Sequence, residues 1–413
     1  MEAELQAQSH PFHDFAAKLR QSGFRETVLR YLQWQKEARS ARNQGKPTPP
    51  FPDIGPLSIN LDLTTACNYA CDHCIDWDSL NSPIRHQESI LKSSLEQLIR
   101  RGLRSVILIG GGEPTLYPGF LDMVAFLKQR KLQVAVVSNG SRNDRLAEAA
   151  PLLSEGDWIR LSLDAGSDSV FRAMHKPKSA KVTLPAICRS AESIKSANPA
   201  VTLGFSFVIV WRGARREDQA LVENLDEIAQ AASLAKQHQF DYISLKPFLT
   251  RAEDGAEVMD PSQSSDSMES VLERLQGQLQ RARSLADDKF KVIESTNLKA
   301  LCQGQWQNYT RQPKQCHMQA LRQVLSPLGT FNCPAHRGVS KARLGGIEIW
   351  GGDGAVGAGG TASILQSFDA SEECKEVTCL YHPVNHFLEA LLAGEEDLEA
   401  ALGEEVDMGD FFL

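Results

Sequence analysis

Between residues 11 and 45 apolar side chains recur at three- and four-residue steps, and this spacing predicts a helix. Pro47, Pro49, Pro50, Pro52 and Pro56 then end it in an extended linker. The segment is too short to form a domain, so it is expected to pack on the rest of the chain. From residue 57 short apolar runs alternate with amphipathic stretches. Strands are predicted at 57–64, 105–111, 132–140, 158–166, 201–210 and 241–248. Helices are predicted near 89–102, 118–129, 143–154, 182–195 and 217–238. Six β-α units in succession predict an α/β fold around a parallel sheet, either open and doubly wound or a partial barrel.

The pattern changes after residue 250. A polar loop is expected first, then a helix near 266–286. Residues 300–380 are rich in Cys, Gly and His and have few periodic stretches. Helix returns from His382, and the acidic end reads as a surface tail. The expected division is an N-terminal helical extension and linker (1–56), a barrel (57–250), a connecting loop and helix (251–300) and a C-terminal domain (301–413).

The length of 413 residues exceeds one ordinary core, and a net charge of -8 disfavours a sequence-independent grip on nucleic acid. No apolar run is long enough to span a bilayer. "MEAELQAQSHPFHDF" lacks the basic start and apolar run of a secretory signal, so a cytoplasmic location is expected. Disulfides are rare there, and nine cysteines, an odd number in two distant groups, read as metal ligands or redox groups.

The chemistry-bearing residues fall just after predicted strands, where parallel α/β folds place active sites. Cys67, Cys71 and Cys74 follow the first strand in "TACNYACDHCID", "GGGEP" follows the second, Ser138-Asn139 the third, and "SLDAGS" spans the end of the fourth. Three thiolates in eight residues can hold three corners of a [4Fe–4S] cluster and leave one iron open. The competing reading is a zinc site with His73 or a remote residue as fourth ligand.

Cys67-x3-Cys71-x2-Cys74 followed by "GGGEP" on the next strand resembles the two leading motifs of the radical S-adenosylmethionine (SAM) superfamily. The resemblance covers residues 57 to about 250 and implies a partial (β/α)6 barrel of the TIM type. It implies that the amino and carboxylate groups of SAM fill the open iron position, and that an electron donor such as flavodoxin or ferredoxin is needed. It places Gly111, Gly112 and Glu113 along the methionyl part of SAM, with Glu113 at the ammonium. Ser138 and Asn139 become SAM contacts. Ser162 and Asp164, on one face of the fourth strand by period two, fall near the ribose or carboxylate. Arg172 is a candidate partner of the SAM carboxylate, and His73 stands where relatives carry an aromatic residue over adenine.

"CHMQALRQVLSPLGTFNC" resembles the opening of SPASM and twitch domains, which hold auxiliary iron–sulfur clusters. The resemblance implies one auxiliary [4Fe–4S] cluster on Cys316, Cys333, Cys374 and Cys379. A structural zinc with His336 or His382 is the alternative, and Cys302 is a candidate substitute ligand. Cys188 reads as a buried bystander. Gly352-x-Gly354-x-x-Gly357 matches a dinucleotide fingerprint but lacks a surrounding β-α-β unit, so a flexible loop is expected there.

The resemblance implies hydrogen abstraction from a substrate. A small molecule is the first reading, with oxidation, epimerisation or rearrangement as outcome, and a ribosomally made peptide the second. Nucleic-acid modification is disfavoured by charge, and a non-catalytic cluster protein by the open iron position. Asp76, Asp78, Arg212 and Lys246 are candidates for the mouth of the site.

Overall fold

The computed structural model describes residues 13–394 and 397–413. The chain divides into two compact units: residues 1–61, 84–106 and 307–413, and residues 62–83 and 107–306. The N-terminal extension thus shares a unit with the C-terminal residues, and residues 251–306 share one with the central strands.

In the first unit the helix expected over 11–45, whose residues 11 and 12 lie outside the described residues, is two helices, Phe15–Lys18 and Ser22–Asn43. Phe24, Val28, Tyr31, Leu32 and Trp34 lie in one buried cluster with Met318, Leu321, Leu365, Val384 and Leu388. The extension therefore completes a core with C-terminal helices, including His382–Ala393 and Leu398–Leu402. The acidic end is no surface tail. Phe412 and Leu413 are buried, Lys18 Nζ donates to Phe412 O at 2.6 Å, and Ser105 Oγ donates to Phe411 O at 2.6 Å. Apolar "FFL" outweighs the acidic residues before it.

Strands β1 (Ser58–Leu61) and β2 (Ser105–Leu108) begin the predicted series, with the helix Glu88–Arg100 between them. β3 (Gln133–Ser138), β4 (Trp158–Ser162) and β5 (Thr202–Ile209) follow. The long helix expected at 217–238 is instead a small ribbon, β6 (Arg215–Arg216) and β7 (Gln219–Ala220), then a helix only over Ile228–Gln237. Gly213 and Glu217 at positive φ turn the chain there and prevent continuous helix. β8 (Tyr242–Pro247) is the sixth expected strand, and β9 (Lys291–Glu294) adds one the pattern did not reveal.

Within the second unit β3, β4, β5, β8 and β9 are consecutive parallel neighbours. One face is apolar: Leu161, Phe205 and Ile243 share a register row and are fully buried. In the first unit β10 (Arg322–Ser326) pairs parallel with β1 and forms a hairpin with β11 (Gly329–Phe331). β12 (Arg343–Gly345) pairs antiparallel with β11. The glycine-rich stretch expected to be a flexible loop turns at Gly352 and Gly354 and then becomes a helix, Ala355–Ser367. A Cβ on Gly357 would come within 2.4 Å of the Trp350 ring, so that glycine serves packing.

Candidate active site

The segment with Cys67, Cys71 and Cys74 has no helix or strand of its own. Its shape is imposed by neighbours in the second unit. The helix Asp168–His175 ends with free carbonyls, as every helix does. Ala70 N donates to His175 O and Asp72 N to Met174 O, each at 3.2 Å. Lys178 Nζ donates to Cys67 O at 3.0 Å, and Lys176 pairs with Asp72 at 2.6 Å. Asn81 Oδ1 accepts from Cys67 N at 3.0 Å. Buried Arg251 donates to Ile75 O at 3.1 Å and pairs with Asp78.

The glycines of "GGGEP" sit tightly against this segment. Gly111 has φ +63, and its N–H donates to Asp76 at 3.2 Å. A Cβ on Gly112 would stand 2.4 Å from Ala66 O and 2.7 Å from Thr64 O. Backbone-to-backbone approach thus requires glycine at 112 before any ligand is considered. The next residue, Glu113, donates its N–H to Ala66 O at 2.8 Å.

The Glu113 carboxylate is buried. Oε1 accepts from Thr115 N, Thr115 Oγ1 and Ser138 Oγ at 3.0, 2.6 and 2.8 Å. Oε2 accepts only from Asn139 N among the described residues, at 2.7 Å. Burial raises its pKa, opposed by these donors. Oε2 accepts a single donor where a carboxylate oxygen can accept two or more, so it retains room for a further donor such as an ammonium. Ser138 is turned toward Glu113. Asn139 Nδ2 donates to Asn68 Oδ1 at 2.9 Å and lies 4.0 Å from Cys67 Sγ.

Asp164 does not continue the period-two face with Ser162. Leu163 N and Asp164 N share Ser206 O, each at 3.2 Å, and Asp164 adopts φ +51, so the alternation stops where the strand does. The Asp164 carboxylate accepts from Val208 N at 2.7 Å, and Oδ2 lies 3.1 Å from His73 Nε2 and 3.3 Å from His175 Nε2. Burial opposes its charge, but the two imidazoles hold Asp164 well below the usual carboxylate range. His73 packs edge-on to His175 at 4.9 Å. Sequence reasoning missed His175, which faces Cys71 Sγ through Nδ1 at 3.3 Å and Leu163 O through Nε2 at 3.0 Å. Arg172 is committed to Asp168 at 2.7 Å and Ala180 O at 2.9 Å, which gives it a role within its own helix region.

Burial, then neighbouring thiols, pushes Cys71 well up, and burial with Asp76 pushes Cys74 up to about 12. Such thiols ionise together only when a cation compensates them. Among the described residues, the only three His, Cys, Asp or Glu side chains whose ligand atoms lie within 4.8 Å of one another are His73, Asp164 and His175. Tetrahedral zinc at about 2.3 Å from sulfur needs thiolates about 3.8 Å apart, whereas a four-iron cluster spreads them further. Among the described residues Cys67, Cys71 and Cys74 do not form a group that close, and His73 is turned to Asp164.

In the first unit Cys316, Cys333 and Cys379 all act electrostatically on Cys374, whose pKa burial raises most. Asn385 Nδ2 lies 3.4 Å from Cys316 Sγ. His336 packs against Phe368, and His382 against Tyr309 and His386. Cys302 sits in the second unit beside Glu294 and Arg283. Cys188 is fully buried in the helix Leu184–Ala197.

Residues 61–236 match the radical SAM superfamily and form a radical SAM domain, which binds SAM and a [4Fe–4S] cluster. The chain is 36% identical over 111 residues to a SAM-dependent nucleotide dehydratase of a Thermoplasmatales archaeon (strain ISO4-H5), which is 26% of this chain and 38% of that protein. It is 29% identical over 180 residues to the mycofactocin maturase MftC of Mycobacterium tuberculosis (strain CDC 1551 / Oshkosh), 43% of this chain and 42% of that protein. The matches thus span about two fifths of these relatives' length. In fold the chain resembles Streptococcus suis SuiB bound to SAM, with TM-score 0.52 and 13% identity over 91% of this chain and 78% of that one. It also resembles anSMEcpe with bound AdoMet, with TM-score 0.51 and 15% identity over 79% and 88%. The fold is therefore the largely parallel α/β architecture of the radical SAM partial barrel with a C-terminal region.

Proposed function

We propose that the whole chain is a radical SAM enzyme acting on a small molecule, with an auxiliary cluster in its C-terminal region. The observation that carries this is the joining of the two motifs: Gly112 and Glu113 lock onto Ala66 beside Cys67. Cys67, Cys71 and Cys74 would hold the cluster, and Glu113 Oε2 would receive the SAM ammonium. When bound, the cluster and SAM supply an electron and the 5'-deoxyadenosyl radical that abstracts hydrogen. The chain's part is to hold and orient. Ser138, Thr115 and Asn139 fix the Glu113 carboxylate, and Asn68 fixes the Asn139 side chain. Cys316, Cys333, Cys374 and Cys379 would hold the second cluster.

The small-molecule reading draws on the likeness to the nucleotide dehydratase and on the N-terminal helices. Those helices belong to a structural core, which leaves no independent precursor-binding module among the described residues. A peptide substrate is the second reading, favoured by the likeness to MftC. Anaerobic reconstitution should give about eight iron atoms per chain, and Cys374→Ser about four. A parent near four iron with one zinc would overturn the auxiliary cluster. Small molecules and short peptides labelled with deuterium then separate the readings: the true substrate passes label into 5'-deoxyadenosine.

A further inference from the structure

One face of the parallel strands in the second unit is polar. Cross-strand partners share a face, so the register groups side chains into rows. Arg160, Gly204 and Tyr242 form one row, and Ser162, Ser206 and Ser244 the next. Val208 and Lys246 form the third, toward the C-terminal ends of the strands. A guanidinium beside a phenol, three serine hydroxyls and an ammonium thus follow one another on the face opposite the apolar one.

These groups have little to bond to. The Arg160 guanidinium lies 5.2 Å from the Trp158 ring, and its Nε is buried without a hydrogen-bond partner. The Ser206 side chain is fully buried, and its Oγ likewise lacks a partner. Neither Arg160 nor Lys246 has a hydrogen-bond or ion-pair partner among the described residues. Arg251 and Arg212 of the same unit are, by contrast, paired with Asp78 and Glu223. Burial, then the positive charge of Arg160, pushes Lys246 down to about 8, against the pull of Asp164 and Glu257. Half-buried like charges and orphaned donors are costly, and such a cost persists where a ligand removes it. Gly204 belongs to the same arrangement: a Cβ there would stand 2.1 Å from the Tyr242 ring, which occupies that space.

We propose that Arg160, Ser206 and Lys246 bind a phosphoryl-type oxyanion of the substrate. Two cations match a dianion, a guanidinium fork matches its oxygens, and a hydroxyl fills a further acceptor. A single carboxylate would leave one cation uncompensated, and a dicarboxylate lacks the tetrahedral set of oxygens that a fork, a hydroxyl and an ammonium can share. The proposal deepens the small-molecule reading and rests on it for the site, but its test does not require SAM cleavage.

Isothermal titration of the reconstituted full chain with inorganic pyrophosphate tests it, with glutarate as the carboxylate probe. Pyrophosphate should bind the parent, and Arg160→Gln and Lys246→Met should each weaken it roughly tenfold or more. Lys246→Arg should restore most of the loss, and the surface variant Lys236→Ala should bind like the parent. Melting temperature and iron per chain report that each variant is folded. Three outcomes would overturn the proposal: no pyrophosphate binding by the parent, unchanged binding in folded Arg160→Gln and Lys246→Met, or glutarate binding as tight as pyrophosphate. Loss of SAM affinity with pyrophosphate binding intact would also overturn it, assigning the cations to SAM instead.

Discussion

Ser138 Oγ donates to Glu113 Oε1 across 2.8 Å, and this bond ties the end of β3 to the carboxylate after β2. Glu113 is ringed by donors, so its amide analogue is not conservative. In Glu113→Gln an NH2 group would face Asn139 N or the Thr115 and Ser138 hydroxyls. We expect a loss of about 1–3 kcal/mol in urea unfolding and at least tenfold weaker SAM binding by titration. Ser138→Ala should cost about 1 kcal/mol, with a smaller effect on SAM. A Glu113→Gln protein with parental stability and SAM affinity would contradict this arrangement.

Gly112→Ala should act on the cysteine segment through the backbone. The added Cβ would stand 2.4 Å from Ala66 O, and main-chain atoms have no flexible side chain to yield. The expected destabilisation is about 1–3 kcal/mol, with iron per chain falling toward half in a reconstituted sample. Iron content equal to the parent's would mean that the segment moves without loss of cluster binding.

Arg251 and Asp78 provide a separate anchor for the same segment. Arg251 is buried and reaches both Ile75 O and the Asp78 carboxylate. Arg251→Ala should destabilise by about 3 kcal/mol, because the Ile75 carbonyl and the Asp78 charge lose their partner together. Asp78→Ala should cost less, since Asp78 remains partly solvated. A double-mutant cycle should give a coupling near 1 kcal/mol or above, and additivity would show that the pair is decorative.

His336 predicts a pH dependence. Burial pushes it down to about 4 from an ordinary value near 6.5. Its contribution is complete above pH 6.5, where folded and unfolded chains are both neutral. As pH falls the unfolded chain gains a proton first, so stability is lost between about pH 6.5 and 4. From pH 7 to 5 the loss from this residue should be about 2 kcal/mol. His336→Phe should flatten that part of the curve, and an unchanged slope would assign the dependence to other groups.

The strands were legible because buried parallel strands are continuous apolar runs, as in "SVILIGG" and "VTLGFSFVIV". The ribbon at 215–220 was not, because its polar residues carry no alternation and its turn rests on the backbone at Gly213 and Glu217. β9 is four residues long and half polar, so it stood out from no loop. In the site, the cysteines and "GGGEP" were readable from type, spacing and order. His175 and Arg251 were not, since they reach Cys71 and Ile75 from 104 and 176 positions away. Asp164 was found as a candidate but misdirected, because one backbone turn at φ +51 ended the alternation that had aimed it.

Formation of 5'-deoxyadenosine tests the central claim most directly. Reconstituted anaerobically and given dithionite and SAM, the parent should produce it, and Cys71→Ala should produce at least a hundredfold less, as expected when one of three cluster ligands is removed. Equal 5'-deoxyadenosine from parent and Cys71→Ala, or none from a parent with full iron content, would contradict the account.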